Sequence, residues 1–475
     1  STANEISRSL NKFKIIITKS TVPVTTGDFI EKIFLKKNKK NKFSVVSNPE
    51  FLREGEAIRD FNYPDRIIVG SNNKKSNRIL NYGSQSIDQA DIDAVTQVLM
   101  SDQITGGPAV DGFEERLAKT TGSCFALSCS SGTAGLHLCA AAMEIGIGDW
   151  VVVPTVTFLA TANAVRMTGA EVVFSDVDPN TGLMNVDHLQ NAIDRAKGPV
   201  KAVFPVHLAG QTADSDGIYR LAKSYDMAVI EDACHALGAS YKSGEEIYQV
   251  GQCEHSDMAV FSFHPVKTVT MGEGGAITTN DNALRKKVSR LRSHGVVRDS
   301  DDFTFFAKGF AASGEPNPWY YEMSEIGFNY RASAIHCALG NSQLGKLGKF
   351  VNQRRLLVEY YDKRLAELNS DWIRPLKRCS DNYPAWHLCV VLIDFEKFNL
   401  DRATVMMLLQ EEKVGSQVHY IPVHGQPYYL NRYGSLELPG AEEYYRRCLS
   451  LPLHPGMTEE DVDTVVEKLC DILRL

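Results

Sequence analysis

The 475-residue sequence has no apolar run of the roughly 20 residues that a membrane-spanning helix needs. Residues 1–15 also show no signal-peptide pattern. The net charge of −7 argues against the dense positive surface used for generic binding to nucleic acids or acidic membranes. The basic cluster KKNKKNK, residues 36–42, is typical of a solvated helix end and loop. These absences favour a cytoplasmic globular enzyme.

Cysteine patterns typical of metal sites are missing as well. The ten cysteines include no C-x-x-C pair and no Cys/His combination at zinc spacing. Cys129, Cys139 and Cys337 stand among small apolar residues, where a free thiol packs as a small hydrophobic side chain. We therefore expect reduced cysteines in the core and no metal site.

What is present is a long alternation of strand-like and helix-like segments. WVVVP, AEVVFSDVD, KAVFPVHLAG and MAVIEDA read as strands with amphipathic helices between them, which predicts a mainly parallel sheet between helix layers. From about residue 350 a long helix, the strand HLCVVLIDF and a terminal helix indicate a smaller α+β domain. We predict a large domain over residues 80–345 and a small C-terminal domain over residues 346–475.

A polar stretch at residues 73–79 reads as a linker. Before it, residues 1–72 contain three strand-like segments, KIIITKS, FSVVSNP and RIIVG, and a helix-like segment, GDFIEKIFLKKN. So short a segment is difficult to stabilise alone, because it buries little apolar surface. We expect it to dock on the rest of the chain, to mediate assembly or to complete a fold with another chain.

In an open parallel sheet, ligands bind at the carboxyl ends of the strands. The polar residues that close the predicted strands are therefore the first candidates for a site. They are Asp176, Asp178, His207, Glu231 and Asp232.

Three segments carry groups that make chemical sense together. In SCSSGTAGLHL, a strand gives way to a helix whose first N–H groups suit a phosphate, although an ordinary helix cap reads the same. In VIEDACHALG, a buried strand ends in two acids, which by themselves could cap a following helix. In FSFHPVKTVTMGEGG, Lys267 lies between an apolar run and a glycine cluster. An amine in an apolar pocket has a lowered pKa and can attack a carbonyl.

A phosphate cradle, a strand-end carboxylate and a pocket lysine form the set that pyridoxal 5'-phosphate (PLP) requires. Lys267 would form the Schiff base, and Asp232 would keep the pyridine nitrogen protonated. The GEGG segment supplies backbone that can turn tightly against the site.

These segments resemble the DegT/DnrJ/EryC1/StrS sugar aminotransferases. The resemblance covers roughly residues 78–475 and implies the fold of aspartate aminotransferase (fold type I), with a three-layer large domain and a small α+β C-terminal domain. Segments such as FHPVKTVTMGEGG and VHYIPVHGQPYY look most like the transaminases that make UDP-4-amino-4,6-dideoxy-N-acetyl-β-L-altrosamine for pseudaminic acid. The motifs that carry the family resemblance are TGGPAVDGFEERLA, SSGTAGLHL, TVTFLATANAV, PVHLAGQTAD, EDACHALGASY, FSFHPVKTVTMGEGGAITTND, LRSHG and GFNYRAS.

Carried over by motif, the resemblance implies that Lys267 is the Schiff-base lysine and proton shuttle, with Asp232 on the pyridine nitrogen. It places Asn329 at the phosphate of a second subunit, which implies a homodimer with shared active sites. The remaining cofactor contacts that it implies are Gly132, Thr133 and Ser262 at the phosphate, Phe158 on the ring face and His235 beside the cofactor.

Histidines and one tyrosine are the candidates for the sugar side, each weighed equally against a role as an ordinary core or loop residue. They are His207, His294, His419, Tyr420 and His424.

The sequence departs from the family pattern in two places. Ala334, Ile335 and His336 follow the NYR motif where Asp-Ile-Gln is usual, which could weaken a contact between subunits. Cys234 stands under the ring where alanine is common, a small change in volume. Neither change removes a catalytic group.

The first 72 residues resemble a different family, the NAD-binding domain of UDP-glucose and related UDP-sugar 6-dehydrogenases. KSTVPV and SNPEFLREGEAIRDFNYPDRIIVG carry this resemblance, which puts Thr21 and Glu50 at catalytic positions and Glu54 near the cofactor. The chain has no G-x-G-x-x-G fingerprint and no cysteine-bearing sugar domain of that family. We therefore predict no dehydrogenase activity from this fragment.

The leading hypothesis is a PLP-dependent aminotransferase that moves an amino group from L-glutamate to C4 of a UDP-4-keto-6-deoxy-hexose. Another nucleotide-linked 3- or 4-ketosugar is an open alternative. An NAD-dependent UDP-sugar dehydrogenase and an inactive scaffold are the disfavoured alternatives from other classes.

Overall fold

The structure is a computed structural model that describes residues 14–19, 43–48, 70–71 and 79–475. The chain divides into two compact units, residues 1–79 and residues 80–475. Several predictions lie outside the described residues: the helix GDFIEKIFLKKN, the basic cluster, and the positions Thr21, Glu50 and Glu54.

The first unit contains a three-stranded sheet in the order β1-β2-β3. Strands β1 (Lys14–Lys19) and β2 (Phe43–Asn48) pair in parallel, and β3 (Gly70–Ser71) pairs antiparallel with β2. The strands predicted at KIIITKS and FSVVSNP are confirmed.

The second unit is built around a seven-stranded sheet in the order β4-β12-β11-β8-β7-β5-β6. Only β12 runs antiparallel to its neighbours, so the other six strands are parallel to one another. This confirms the predicted mainly parallel sheet. Its strands are β4 (Phe125–Cys129), β5 (Trp150–Pro154), β6 (Glu171–Ser175), β7 (Val200–Val203), β8 (Ala228–Asp232), β11 (Met258–Ser262) and β12 (Gly275–Thr279).

Helices cover the sheet, and local sequence sets several of their ends. Asp88 forms a capping box at α1, Pro108 opens α2, and the Ser131 side chain caps α3. The helices of this region are α1 (Gln89–Leu99), α2 (Pro108–Thr121), α3 (Gly132–Ala142), α4 (Leu159–Met167), α5 (Val186–Arg195), α6 (Ser215–Ser224), α7 (Asn282–Leu291), α8 (Phe306–Gly309) and α9 (Ala334–Leu344).

Central strands are apolar on both faces because helices pack on both sides of the sheet. Val151, Val152 and Val153 of β5 are fully buried although their side chains alternate between the two faces. The segment KAVFPVHLAG forms a shorter strand than predicted, since β7 ends at Val203 and a short 3₁₀ turn follows at Leu208–Gly210. Pro205 has no N–H to donate, which disfavours a longer strand here.

Short strands of two to four residues form two further small sheets in the second unit. In one sheet, β9 (Ser240–Ser243) pairs with both β10 (Glu246–Gln249) and β16 (Asn382–Tyr383), and in another β13 (Val296–Val297) pairs with β14 (Glu322–Met323).

The C-terminal part has its own antiparallel sheet, in the order β15-β17-β18, packed against long helices. Its further elements are α10 (Leu347–Glu367), β15 (Ile373–Pro375), β17 (Cys389–Ile393), α11 (Arg402–Glu411), α12 (Pro427–Tyr433), α13 (Pro439–Arg447), β18 (Cys448–Leu451) and α14 (Glu459–Leu473). This α+β organisation was predicted, whereas the boundary at residue 345 stays a prediction.

The ten cysteines are free thiols, and six of them are buried, including Cys129, Cys139 and Cys337. Among the described residues, no group of His, Cys, Asp or Glu is arranged to hold a metal ion. Within the same ranges, the structure contains no helix with the length and apolar character needed to cross a membrane.

Candidate active site

The carboxyl ends of the parallel strands bring the three predicted segments together. In the sheet, Val260 of β11 pairs with Asp232 of β8, Ser262 pairs with Gly275 of β12, and Gly275 pairs with Cys129 of β4. The ends of β4, β11 and β8 therefore lie at one edge, although the segments are far apart in sequence.

A cavity of about 540 Å³ opens at this edge, and we refer to it as the Lys267 cavity. It brings together most of the residues that were proposed from the sequence. Those that line it are Gly132, Thr133, Phe158, Asp232, His235, Ser262, Lys267, His419 and Tyr420.

Lys267 lies just beyond β11, in a turn where its backbone N–H donates to the His264 carbonyl at 2.8 Å. Burial lowers the pKa of Lys267, and the nearby Cys234 and Asp232 only partly oppose this shift. A lowered pKa leaves a larger fraction of the amine neutral near pH 7 and hence nucleophilic.

Hydrogen bonds fix the Asp232 carboxylate at the cavity wall. It accepts from the Thr161 hydroxyl at 2.7 Å and from the Cys234 backbone N–H at 3.2 Å, and Thr157 pairs with Thr161 at 2.8 Å. No helix follows Asp232, since the chain turns and continues into β9. The alternative that the acidic pair caps a helix is therefore wrong.

The turn between β4 and α3 forms a backbone cradle. The Ser131 side chain occupies the Ala134 N–H, whereas the first N–H groups of α3, at Gly132 and Thr133, have no partner within the helix. A Cβ atom on Gly132 would lie 2.9 Å from the Ser262 Cβ atom. A Cβ atom on Gly275, the last glycine of GEGG, would lie 2.3 Å from the Ser131 carbonyl oxygen. Glycine at both positions lets the cradle, β11 and β12 meet closely.

Imidazole rings form another part of the wall. His235 contacts Tyr420 through its Nε2 atom at 3.0 Å and lies 4.4 Å from the His387 ring. The His419 ring contacts the Tyr420 ring, and its Nδ1 atom contacts Ser450 at 2.7 Å. Burial lowers the pKa of His419 to about 3, and it lowers the pKa of His235 and His387 well below the usual 6.5. All three rings are therefore neutral at pH 7.

Three predicted sugar contacts do not line this cavity. His207 is completely buried, where its Nδ1 accepts from the Ala213 N–H and its Nε2 lies 3.3 Å from Glu231. His424 is buried against Thr155 at 2.7 Å. His294 is exposed in a turn at φ +63°, outside the wall. Their proposed role in binding the sugar therefore stays a prediction that the lining of this cavity does not support.

Asn329, the proposed contact to a second subunit, is exposed and also lies outside the cavity wall. Its backbone forms a bridge with Ser293. Its side chain is therefore accessible to a partner subunit, which leaves its proposed role open.

The structure adds wall residues that the sequence analysis missed. Tyr82 lines the cavity, and backbone hydrogen bonds hold its segment in place. The Leu80 N–H donates to the Lys413 carbonyl, and the Leu453 N–H donates to the Tyr82 carbonyl. The polar residue in the apolar segment AWHLCVVL was a usable signal for His387. Further polar wall residues that the sequence did not indicate are Ser131, Thr157, His264, Glu273 and Gln417.

Residues 85–470 match the DegT/DnrJ/EryC1/StrS aminotransferase family, and residues 1–82 match the NAD binding domain of the UDP-glucose/GDP-mannose dehydrogenase family.

Relatives and solved structures agree with the first match. The spore coat polysaccharide biosynthesis protein SpsC of Bacillus subtilis is 36% identical over 405 residues, which is 84% of this chain and 99% of SpsC. Helicobacter pylori PseC, an aminotransferase involved in pseudaminic acid biosynthesis, superposes with a TM-score of 0.74 at 27% identity, covering 84% of this chain and all of PseC. The PLP form of the putative sugar aminotransferase Spr1654 of Streptococcus pneumoniae gives a TM-score of 0.72 at 26% identity, covering 84% of this chain and 99% of that structure. This likeness confirms the predicted fold, and the chain belongs to the DegT/DnrJ/EryC1/StrS aminotransferase family.

Proposed function

We propose that this protein is a PLP-dependent aminotransferase that transfers an amino group from L-glutamate to the carbonyl carbon of a nucleotide-linked ketosugar. The observation that carries the proposal is the convergence of Lys267, Asp232 and the α3 cradle on one cavity. These three features come from separate segments of the sequence, and a purely structural role for each of them would not explain why all three line the same cavity. The finer assignment is to C4 of a UDP-4-keto-6-deoxy-hexose, supported by the similarity to PseC.

The wall residues fit PLP on chemical and steric grounds. The cradle offers N–H groups at a helix start for a phosphate, and Ser262 adds a hydroxyl beside it. The exposed ring of Phe158, with 57% of its surface accessible, supplies an aromatic face. His235 presents a buried Nδ1 atom that has no partner among the described residues. A cofactor with a phosphate, an aromatic ring and polar ring substituents satisfies all of these groups.

When bound, PLP supplies an aldehyde that condenses with amines and a ring that withdraws electrons from the carbon under attack. Lys267 would hold the aldehyde carbon and, once released, move a proton at its Nζ atom. Its lowered pKa suits both roles, because the neutral amine is the nucleophile and the base. Asp232, fixed by Thr161, would keep a proton on the ring nitrogen.

Reduction with borohydride tests the cofactor assignment. Wild-type protein incubated with PLP and then reduced should carry the cofactor covalently on the peptide that contains Lys267, as read by mass spectrometry. The Lys267→Ala variant should carry none there. Equal labelling of both proteins, or no labelling of the wild type, would contradict the proposal.

A panel of UDP- and dTDP-linked ketosugars tests the substrate. With L-glutamate as donor, we expect amination of a UDP-4-keto-6-deoxy-hexose, with the position of the new amine assigned by NMR. Amination of a 3-ketosugar instead would support the alternative within the same class.

A homodimer with shared sites is part of the proposal and rests on the position of Asn329 in the family motif. Mixing Lys267→Ala subunits with Asn329→Ala subunits should restore activity, since one hybrid site then contains both native residues. An active monomer in sedimentation velocity would count against this part.

We propose no dehydrogenase activity for the N-terminal fragment. Addition of NAD and UDP-glucose to the full chain should give no NADH absorbance at 340 nm, a wavelength at which NADH but not NAD absorbs. NADH formation that depends on Glu50 would favour the alternative function.

A further inference from the structure

Two side chains that line the Lys267 cavity, His235 and His387, each have a buried ring nitrogen, Nδ1, without a hydrogen-bond partner among the described residues. The two residues are only 6% and 4% exposed. A buried polar atom without a partner is costly, so such atoms in two residues of one cavity wall point to a ligand group that satisfies these rings. His235 also contacts Tyr420 through Nε2, whereas His387 has no such partner on the wall.

A buried cation contacts the backbone of His387. The guanidinium of Arg354, 1% exposed, donates through Nη1 to the carbonyl oxygens of His387 and Leu453. Its Nε and Nη2 atoms have no partner among the described residues. Burial lowers the pKa of Arg354 to about 10, so the group keeps its charge at pH 7. A buried charge is normally paired, and Arg354 has no carboxylate partner in the described part of the chain.

The cavity wall itself contains no arginine within the described residues, and Lys267 is its one lysine. Its carboxylates are Asp232, which is held by Thr161, and Glu273, which is exposed. An anion that enters the cavity beside His387 therefore meets a neutral imidazole on a residue whose backbone carbonyl is bound by a buried cation. A neutral sugar hydroxyl would satisfy the imidazole and leave the charge of Arg354 uncompensated.

We propose that His387 is a substrate-binding residue that receives one carboxylate group of the acidic amino donor, with Arg354 as the buried charge that favours an anion there. This inference rests on the proposed aminotransferase function and deepens it. The backbone of His387 is fixed on both sides, since its N–H donates to the Ala209 carbonyl at 2.9 Å and its carbonyl accepts from Arg354 at 3.2 Å. The ring is thus held in place before a donor arrives.

Glutarate tests the proposal, because it has the two carboxylates of an acidic donor and no amine to react. Isothermal titration calorimetry of glutarate into the full-length, PLP-loaded protein should show binding that is at least tenfold weaker in His387→Ala. His387→Gln, which keeps an N–H donor, should recover part of the loss. The matched control is His255→Asn, since His255 contacts Tyr241 at 2.8 Å outside the cavity and its variant should bind glutarate within twofold of wild type.

Two further readings separate binding from a purely structural role. PLP retention on dialysis and the affinity for UDP should change less than twofold in His387→Ala. Unchanged glutarate binding in this variant overturns the proposal, and so does a parallel loss of PLP, UDP and glutarate, which would show that His387 only supports the fold. Failure of the aminotransferase proposal looks different, because wild-type protein would then retain no PLP after borohydride reduction.

Discussion

Replacing Gly275 by alanine should damage the cofactor cradle without touching a polar side chain. A Cβ atom at this position would lie 2.3 Å from the Ser131 carbonyl oxygen and 2.7 Å from the Gly132 amide nitrogen. Both neighbours are backbone atoms of the cradle, so no side-chain rotation can relieve the overlap. The chain must move either β12 or the turn that precedes α3.

The expected magnitude follows from the cost of overpacking. Forcing one methyl group into a packed site costs about 1–3 kcal/mol, because the backbone shift disturbs other contacts. If the strain moves the cradle, PLP affinity should fall tenfold or more, which corresponds to about 1.4 kcal/mol. The melting temperature should fall as well, since the free energy of unfolding decreases.

The matched control is Gly348→Ala. Gly348 is exposed on α10, and a Cβ atom there would meet nothing within 4 Å. Alanine is the better helix former by about 1 kcal/mol, so this variant should be equally or more stable and should bind PLP normally. Differential scanning fluorimetry and titration of PLP absorbance give the two readings. A Gly275→Ala protein that matches wild type in both would refute the close packing of β12 on the cradle.

Three other predictions concern hydrogen bonds and protonation. Thr161→Val removes the donor to the Asp232 carboxylate and should lower the free energy of unfolding by about 1.5–3 kcal/mol in urea, whereas Thr161→Ser should stay near wild type. His419 has a pKa of about 3 when folded, below its unfolded value near 6.5, so the unfolded state binds more protons between these two values. The free energy of unfolding should therefore decrease by about 1.4 kcal/mol for each pH unit by which the pH is lowered from 6.5 towards 3. His419→Asn should show a shallower dependence on pH in urea unfolding from pH 7 to 4, and equal slopes would contradict the assignment. Glu322 accepts backbone N–H groups and the Tyr320 hydroxyl, so Glu322→Gln should speed trypsin cleavage between residues 298 and 331 at pH 7. Glu315→Gln, a change at an exposed residue of the same loop, should not.

Local sequence was sufficient to predict that Gly132, Asp232 and Lys267 lie together at the cavity. The strand-to-helix turn at Gly132, the strand end at Asp232 and the loop at Lys267 each have a pattern within about ten residues. The rule that ligands bind at the carboxyl ends of parallel strands then places them together. Even so, the order of the strands could not be read from the alternation of segments, because β12 inserts antiparallel between β4 and β11.

The imidazole wall could be predicted only in part, because it depends on packing between distant segments. His387 reaches the cavity since its N–H donates to Ala209, far earlier in the chain. His207 follows a strand in the way a ligand residue would, yet it turns away from the cavity and contacts Glu231. Position at a strand end indicates which residues are near a site, but the side-chain direction is set by neighbours that the sequence alone does not reveal.

The neutral wall also explains how one cavity could serve two unlike substrates in turn. A fixed arginine on the wall would bind an acidic donor strongly, but it would be left without a partner when an uncharged sugar ring took the same place, and a buried unpaired charge is costly. A neutral imidazole can donate to a carboxylate or exchange hydrogen bonds with a hydroxyl at much lower cost. Arg354 does not line the cavity, so its hydrogen bonds to the backbone carbonyls of His387 and Leu453 persist whichever substrate is present. A cavity built in this way would favour the acidic donor by charge while still admitting the sugar, as a reaction with two successive substrates at one lysine requires.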